Sequence, residues 1–222
     1  MLFVGRLCAV GAVVAAATLG GAAGASASGQ PAVTILCPAC GHNLVLNPGA
    51  EAGVGTNADT VVKVPGWKPT GGFTAAQYAW SGGDITPTTP GPKNRGKNYF
   101  YGGPDAARST GTQTIMVASA GISGGKIHYT LSGWLGGFSS QGDNAQVYVT
   151  LENTAGTAVG KVSLGPVTEG QRDGNSGLFF RQVSGPVPAA TRTVVVKLVM
   201  SRTDGSDNDG MADNLSLVFS EP

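Results

Sequence analysis

Apolar side chains recur at every second position in four separate stretches of this chain, the period of a strand with one buried face. In 126–134, Ile127, Tyr129 and Leu131 share one side, while His128, Thr130, Ser132 and Trp134 share the other. In 145–153, Val147, Val149 and Leu151 oppose Gln146, Tyr148, Thr150 and Glu152. In 193–201, Val194, Val196, Leu198 and Met200 alternate with Val195, Lys197, Val199 and Ser201. Near the end, Leu215, Leu217 and Phe219 oppose Asn214, Ser216 and Val218. Shorter candidate strands are 97–101, 113–117, 160–164 and 178–184. No stretch of helical length shows a 3.6-residue period. Gly, 36 of 222 residues, concentrates with Pro, Asn and Asp between these segments, where turns need it. Eight or nine short strands in one domain, with 56–92 as loops and short strands, predict an all-β sandwich.

Residues 1–27 have the layout of a secretory signal peptide. Arg6 precedes an apolar run from Leu7 to Leu19, and small residues ending in Ala-Ser-Ala at 25–27 offer a cleavage site. Cys8 lies inside the apolar run, away from where a lipid-modified cysteine would stand. The expectation is a secreted protein, with 28–42 a leader or linker and 43–222 the folded domain. The whole chain has 14 basic and 13 acidic residues, so it lacks the basic excess that grips nucleic acid or an anionic membrane. A monomer is expected.

Cys37 and Cys40, in Cys-Pro-Ala-Cys-Gly-His, fit a local disulfide in an exported protein. A redox pair, a zinc site with His42 and free thiols remain open. Gly121-Ile122-Ser123-Gly124-Gly125 matches the nucleophile-elbow spacing but leads into a strand, so a β-turn is expected there. Downstream of residue 27 the only histidines are His42 and His128, and no metalloprotease or phosphate-loop motif occurs. The expectation is a protein that is not an enzyme.

The two ends of the domain carry a resemblance. Asn43-Leu44-Val45-Leu46-Asn47-Pro48-Gly49-Ala50-Glu51, followed by Pro65-Gly66-Trp67, resembles the opening of galactose-binding-like jelly rolls, including carbohydrate-binding modules. Asp213-Asn214-Leu215-Ser216-Leu217 resembles their last strand. The resemblance spans about 43–220 and implies a jelly-roll β-sandwich, with a polysaccharide or other glycan as partner. It also implies a structural calcium ion between Glu51 and Asp213; the alternative is a turn capped by carboxylates. An interaction protein of the same fold without a sugar site, or a secreted hydrolase, remain the other readings.

Sugars are bound by aromatic faces beside polar groups that read hydroxyls. Tyr78 and Trp80 lie in a Gly-, Thr- and Ser-rich stretch, and Tyr99 and Tyr101 share one side of a short strand. His128, Trp134 and Tyr148 lie on the polar sides of theirs, and would form one platform if the two strands are neighbours. Tyr78, Trp80, Tyr101, His128, Trp134 and Tyr148 are therefore the candidate ligand-binding residues. Trp67 is expected in the core. Four of the nine Asp fall between Asp204 and Asp213; 204–210 resembles an EF-hand loop but fails its spacing, so a solvated hairpin loop is expected.

Overall fold

The computed structural model describes residues 37–221; the expected signal segment and most of the expected linker lie outside the described residues. Ten strands form: β1 (Lys68–Thr70), β2 (Thr74–Gln77), β3 (Asn98–Gly103), β4 (Arg108–Met116), β5 (His128–Gly137), β6 (Asn144–Glu152), β7 (Ala158–Leu164), β8 (Gly177–Pro186), β9 (Thr193–Ser201) and β10 (Asn208–Ser220). They make two antiparallel five-stranded sheets, ordered β1-β4-β9-β6-β7 and β2-β3-β10-β5-β8. Consecutive strands β5 and β6 therefore lie in different sheets.

Alternation places the core. Leu131 and Leu135 of β5, and Leu215, Leu217 and Phe219 of β10, face Val147, Val149 and Leu151 of β6 and Val194, Val196 and Leu198 of β9. These β-branched and γ-branched side chains suit a pleated surface buried on one side. Trp67 closes one end of this core against Phe73 and Phe100, with ring centroids 5.9 and 5.2 Å away.

Two local readings differ from the sequence expectation. Residues 37–42 are not a spacer: Cys37 and Ala39 are buried in the core, Cys40 bridges to Phe219, and Asn43 bridges to Val218. The Cys-Pro-Ala-Cys stretch has enough apolar surface to pack beside β10. The Gly-Ile-Ser-Gly-Gly stretch forms a single 3-10 turn, Ile122–Gly124, with Ile122 buried, in place of an isolated β-turn.

β10 controls the register of the second sheet. Its pairing with β5 shifts between Asp213 and Ser216, and Asn214 takes a positive φ of 47°. The extra residue lets Ala212 and Leu215 both point into the core while Asp213 stands opposite Trp134. Between β2 and β3, residues 78–97 run as a strap over the outer face of this sheet. Ile85 is buried in the strap, and the Leu178 N–H donates to the Pro90 carbonyl at 2.9 Å.

Candidate site on the outer face of the second sheet

The outer face of β10, β5 and β8 is built in rows, because directly paired residues of antiparallel strands share a side. One row is Asp213, Trp134 and Phe180; the next is Ser216, Ser132 and Gln182; then come Val218, Thr130 and Ser184. His128 opens β5 on this same face, opposite Ser220 and Pro186. The Trp134 and Phe180 rings lie 5.7 Å apart at 59° to one another, with Phe180 48 % exposed. Thr130 and Ser184 share a hydrogen bond of 3.1 Å between their hydroxyls. The arrangement is a flat surface of hydroxyls and an amide ending in an aromatic corner. It can stack one sugar ring and hydrogen-bond the next.

The other half of the same face is closed. Tyr78, Tyr99, Tyr101, Ile85, Leu178 and Met211 form a buried cluster beneath the strap, with Trp80, Trp134 and Phe138 packed against it. Tyr78 and Tyr101 are each 2 % exposed, so neither offers a face to a ligand. The Trp80 ring lies close against the backbone of Gly82 and Gly83. Arg95 covers the Tyr78 ring at 4.9 Å and donates to the carbonyls of Pro92, Thr86 and Thr89. The open cleft beside it, about 460 Å³ and lined by Gln77, Tyr78, Lys93, Arg95 and Lys97, therefore has no bare aromatic face.

Of the six expected ligand-binding residues, Tyr78, Trp80, Tyr101 and Trp134 gather at this cluster, and His128 shares its sheet face. Tyr148 does not join them. It lies on β6 in the opposite sheet, 40 % exposed, paired across to Lys197 and Ser163, with its hydroxyl donating to Gln146 Oε1 at 2.6 Å. The platform of His128, Trp134 and Tyr148 fails because the chain crosses between sheets after β5. Phe180, Ser132, Gln182 and Ser216 were missed. The alternation of Phe180, Gln182 and Ser184 was visible in sequence, but not which strand lies beside them.

Glu51 and Asp213 come together as expected. Asp213 is fully buried; Tyr78 donates its O–H to Oδ2 at 2.8 Å and the Asn214 N–H donates to Oδ1 at 2.6 Å. Burial, with Glu51 adding repulsion, pushes the Asp213 carboxyl up to about 8, against the opposing pull of Tyr78, Asn214 and Arg95. Glu51 Oε1 accepts the N–H groups of Lys97 and Asn98 at 3.0 and 2.8 Å, capping the start of β3. Gly49 lies between them. A methyl group there would stand 3.1 Å from Asp213 Oδ1, 3.3 Å from Asn214 Oδ1 and 3.8 Å from Glu51 Cγ. Asp213 Oδ1 and Asn214 Oδ1 face this point, while the Glu51 carboxylate turns toward Gly96 and the N–H groups of Lys97 and Asn98; such an oxygen set fits a calcium ion once further oxygen donors complete it. Among the described residues no three His, Cys, Asp or Glu side chains cluster at metal-holding spacing, so amide and backbone oxygens would complete such a site.

The remaining candidates resolve simply. Cys37 and Cys40 sulfurs are bonded, 2.15 Å apart, which leaves no thiolate for zinc, and His42 faces the Cys40 carbonyl at 3.2 Å. Ser123 hydrogen-bonds to the Ser119 carbonyl and to Arg192, an arrangement without a base. In the acidic loop, Asp204 is exposed and held below the usual carboxylate range by the Gly142 N–H and the Thr203 hydroxyl. Asp209, by contrast, is buried, so the loop is solvated only over its first part.

No protein-family model and no curated protein matches this sequence. Solved structures do match. A cyclase from Fischerella sp. TAU, in complex with 4-(1H-indol-3-yl)butan-2-one, is 14 % identical with a TM-score of 0.54, over 81 % of this chain and 98 % of that one. The carbohydrate-binding module TmCBM61, in complex with β-1,4-galactotriose, is 12 % identical with a TM-score of 0.50, over 81 % and 100 %. The fold is the jelly roll of carbohydrate-binding modules. The enzymatically active domain of Bacteriophage CBA120 tailspike protein 4 is 15 % identical with a TM-score of 0.50; the match covers 80 % of this chain but only 21 % of the tailspike chain. One fold thus serves a sugar binder, a cyclase and part of a tailspike, and the jelly roll alone assigns none of these roles.

Proposed function

We propose that this chain is a secreted, non-catalytic carbohydrate-binding module whose glycan lies along the open rows of β10, β5 and β8. The observation that carries this reading is the corner of half-buried Trp134 and exposed Phe180 beside Ser132, Gln182, Ser216 and Thr130. Tilted aromatic rings give a saccharide an apolar seat, and the adjacent hydroxyls and amide give it direction. The likeness to a galactotriose-bound module of the same fold supports the reading. So do the Cys37–Cys40 bond, suited to an oxidising compartment, and the signal-like residues 1–27. A polysaccharide array run with the wild type, Trp134→Ala and Phe180→Ala tests it. Binding that both variants lose supports the platform, and equal binding by all three rejects it.

A structural calcium ion held by Glu51, Asp213 and Asn214 belongs to the same proposal. Its chemistry there is charge neutralisation: a divalent cation lets Asp213 stay ionised in a buried position beside a second carboxylate. Asp213 also contacts the strap through Tyr78, so the ion would brace the boundary between the closed and open halves. Calcium at about 100 times its Kd would add ~2.7 kcal/mol of stability. The check is a melting curve with and without chelator. A fall of several degrees that Glu51→Gln abolishes supports the ion, and an unchanged curve after verified metal removal rejects it.

A further inference from the structure

The far end of the strapped half holds a cluster that neither the platform nor the Glu51–Asp213 site uses. Asp209, early in β10, is 5 % exposed, and the carboxyl of Asp84 from the strap lies beside it. Tyr101 donates its O–H to Asp209 Oδ1 at 3.2 Å. Asp143 fixes the backbone: its Oδ2 accepts the Asp209 N–H at 2.8 Å, and its Oδ1 accepts those of Thr203 and Asp204 at 2.6 and 3.0 Å. The next residue of the strap, Ile85, is 1 % exposed and anchors Asp84. Burial is the largest cause raising the carboxyls of Asp84 and Asp209; the charges of neighbouring carboxylates, Asp207, Asp59 and Asp143 among them, raise them further, while contact with Asp209 eases Asp84 and the Tyr101 hydroxyl eases Asp209. Asp59, exposed, is itself raised by burial, Asp207 and Asp105.

A second, independent observation points into the same place. Tyr99 is 0 % exposed, its hydroxyl has no hydrogen-bond partner among the described residues, and the charged groups nearest it are Asp84 and Asp209. A buried hydroxyl left unpaired is costly, and such groups in a folded protein call for an explanation, an ion or water among them. Two carboxylates in contact cannot both ionise without a counter-charge.

We propose that Asp84 and Asp209 hold a hard divalent cation of the calcium type, with the Tyr99 hydroxyl turned toward it as a neutral oxygen donor. The donors are all oxygens and only two are carboxylates, a set that suits calcium completed by water rather than zinc. Asp59, Asp105 and Asp207 form an acidic approach from solvent that concentrates cations at the entrance. The ion would pin the strap to β10. It shares no ligand with the Glu51–Asp213 site, and it stands or falls independently of glycan binding.

Calorimetric titration of the metal-free full chain with CaCl2, paired with Tb3+ luminescence excited through tyrosine, tests the site. Asp84→Asn is expected to lose one bound Ca2+ per chain that Glu51→Gln retains. Tyr99→Phe is expected to keep that ion with affinity weakened about tenfold. Ca2+ uptake by Asp84→Asn equal to wild type in number and affinity overturns the proposal. So does a chain that takes up no Ca2+ in the Glu51→Gln background while Asp84→Asn melts higher, the signature of a shared proton alone. If Asp84→Asn does not fold, Tyr99→Phe decides: unchanged Ca2+ affinity and unchanged Tb3+ emission lifetime overturn the site.

Discussion

The outer face of the second sheet has two halves with the same backbone and opposite fates. On β3 and the first part of β10, outward positions are Tyr99, Tyr101 and Met211, and a strap of the chain buries them. On β5, β8 and the last part of β10 they are Ser132, Thr130, Gln182 and Ser216, and nothing in the described residues covers them. Trp134 and Phe180 stand at the border. An aromatic side chain on an outer strand face is thus open to solvent or part of a second core depending on whether the strap lies over it. The sharpest way to break this comparison is by stability. Tyr99→Ala, in the closed half, is expected to cost about 3–5 kcal/mol, the range for a large buried aromatic. Phe180→Ala, 48 % exposed in the open half, is expected to cost less than about 1 kcal/mol. Urea unfolding of both variants checks this, and similar costs would mean the halves do not differ as described.

The border itself predicts the next largest effect. Tyr78→Phe removes only the hydroxyl that the strap donates to buried Asp213. Leaving a buried acceptor without its partner costs about 1–3 kcal/mol, so a loss of that order is expected by denaturation. Glycan affinity should stay within about twofold, because Tyr78 has no exposed face. A variant that keeps its stability but loses glycan would move the binding site under the strap.

Much of this was legible in the residues, and the illegible part has one cause. Alternation located most strands and their inner faces, including the pairing of Tyr99 with Tyr101 against Phe100. The Asn-Pro-Gly-Ala-Glu opening and the Asp-Asn close implied that Glu51 and Asp213 approach one another, and both flank Gly49. What alternation cannot carry is which strands are neighbours and which loop lies on them. Tyr148 and Trp134 looked alike for that reason, although one sits on each sheet. Tyr78 looked like a binding residue because Gly- and Thr-rich surroundings suggest exposure, and Tyr101 because it shares a strand side with Tyr99, whereas Ile85 and Arg95 fold the Tyr78 stretch down over both.

A binding comparison tests the platform directly. Trp134→Ala removes the more buried ring of the corner, and loss of an aromatic contact of about 0.5–1.5 kcal/mol, plus its apolar area, predicts roughly tenfold weaker glycan affinity by calorimetry. Trp80→Ala, against the backbone of Gly82 and Gly83, is expected to lower stability and leave affinity unchanged. The reverse outcome would exchange the roles of the two tryptophans.

The smallest expected effect is the most discriminating about which sheet binds. Tyr148 is more accessible than Trp134, yet its hydroxyl is satisfied within its own strand by Gln146. Its cross-strand partners, Lys197 and Ser163, supply a charge and a hydroxyl but no second ring. A lone exposed tyrosine of this kind is ordinary protein surface. Tyr148→Ala should therefore change stability by no more than about 0.5 kcal/mol and glycan affinity not measurably. If it instead weakens binding as much as Trp134→Ala, the glycan reaches the β1-β4-β9-β6-β7 sheet, because the two residues lie on different sheets and no single flat platform contains both.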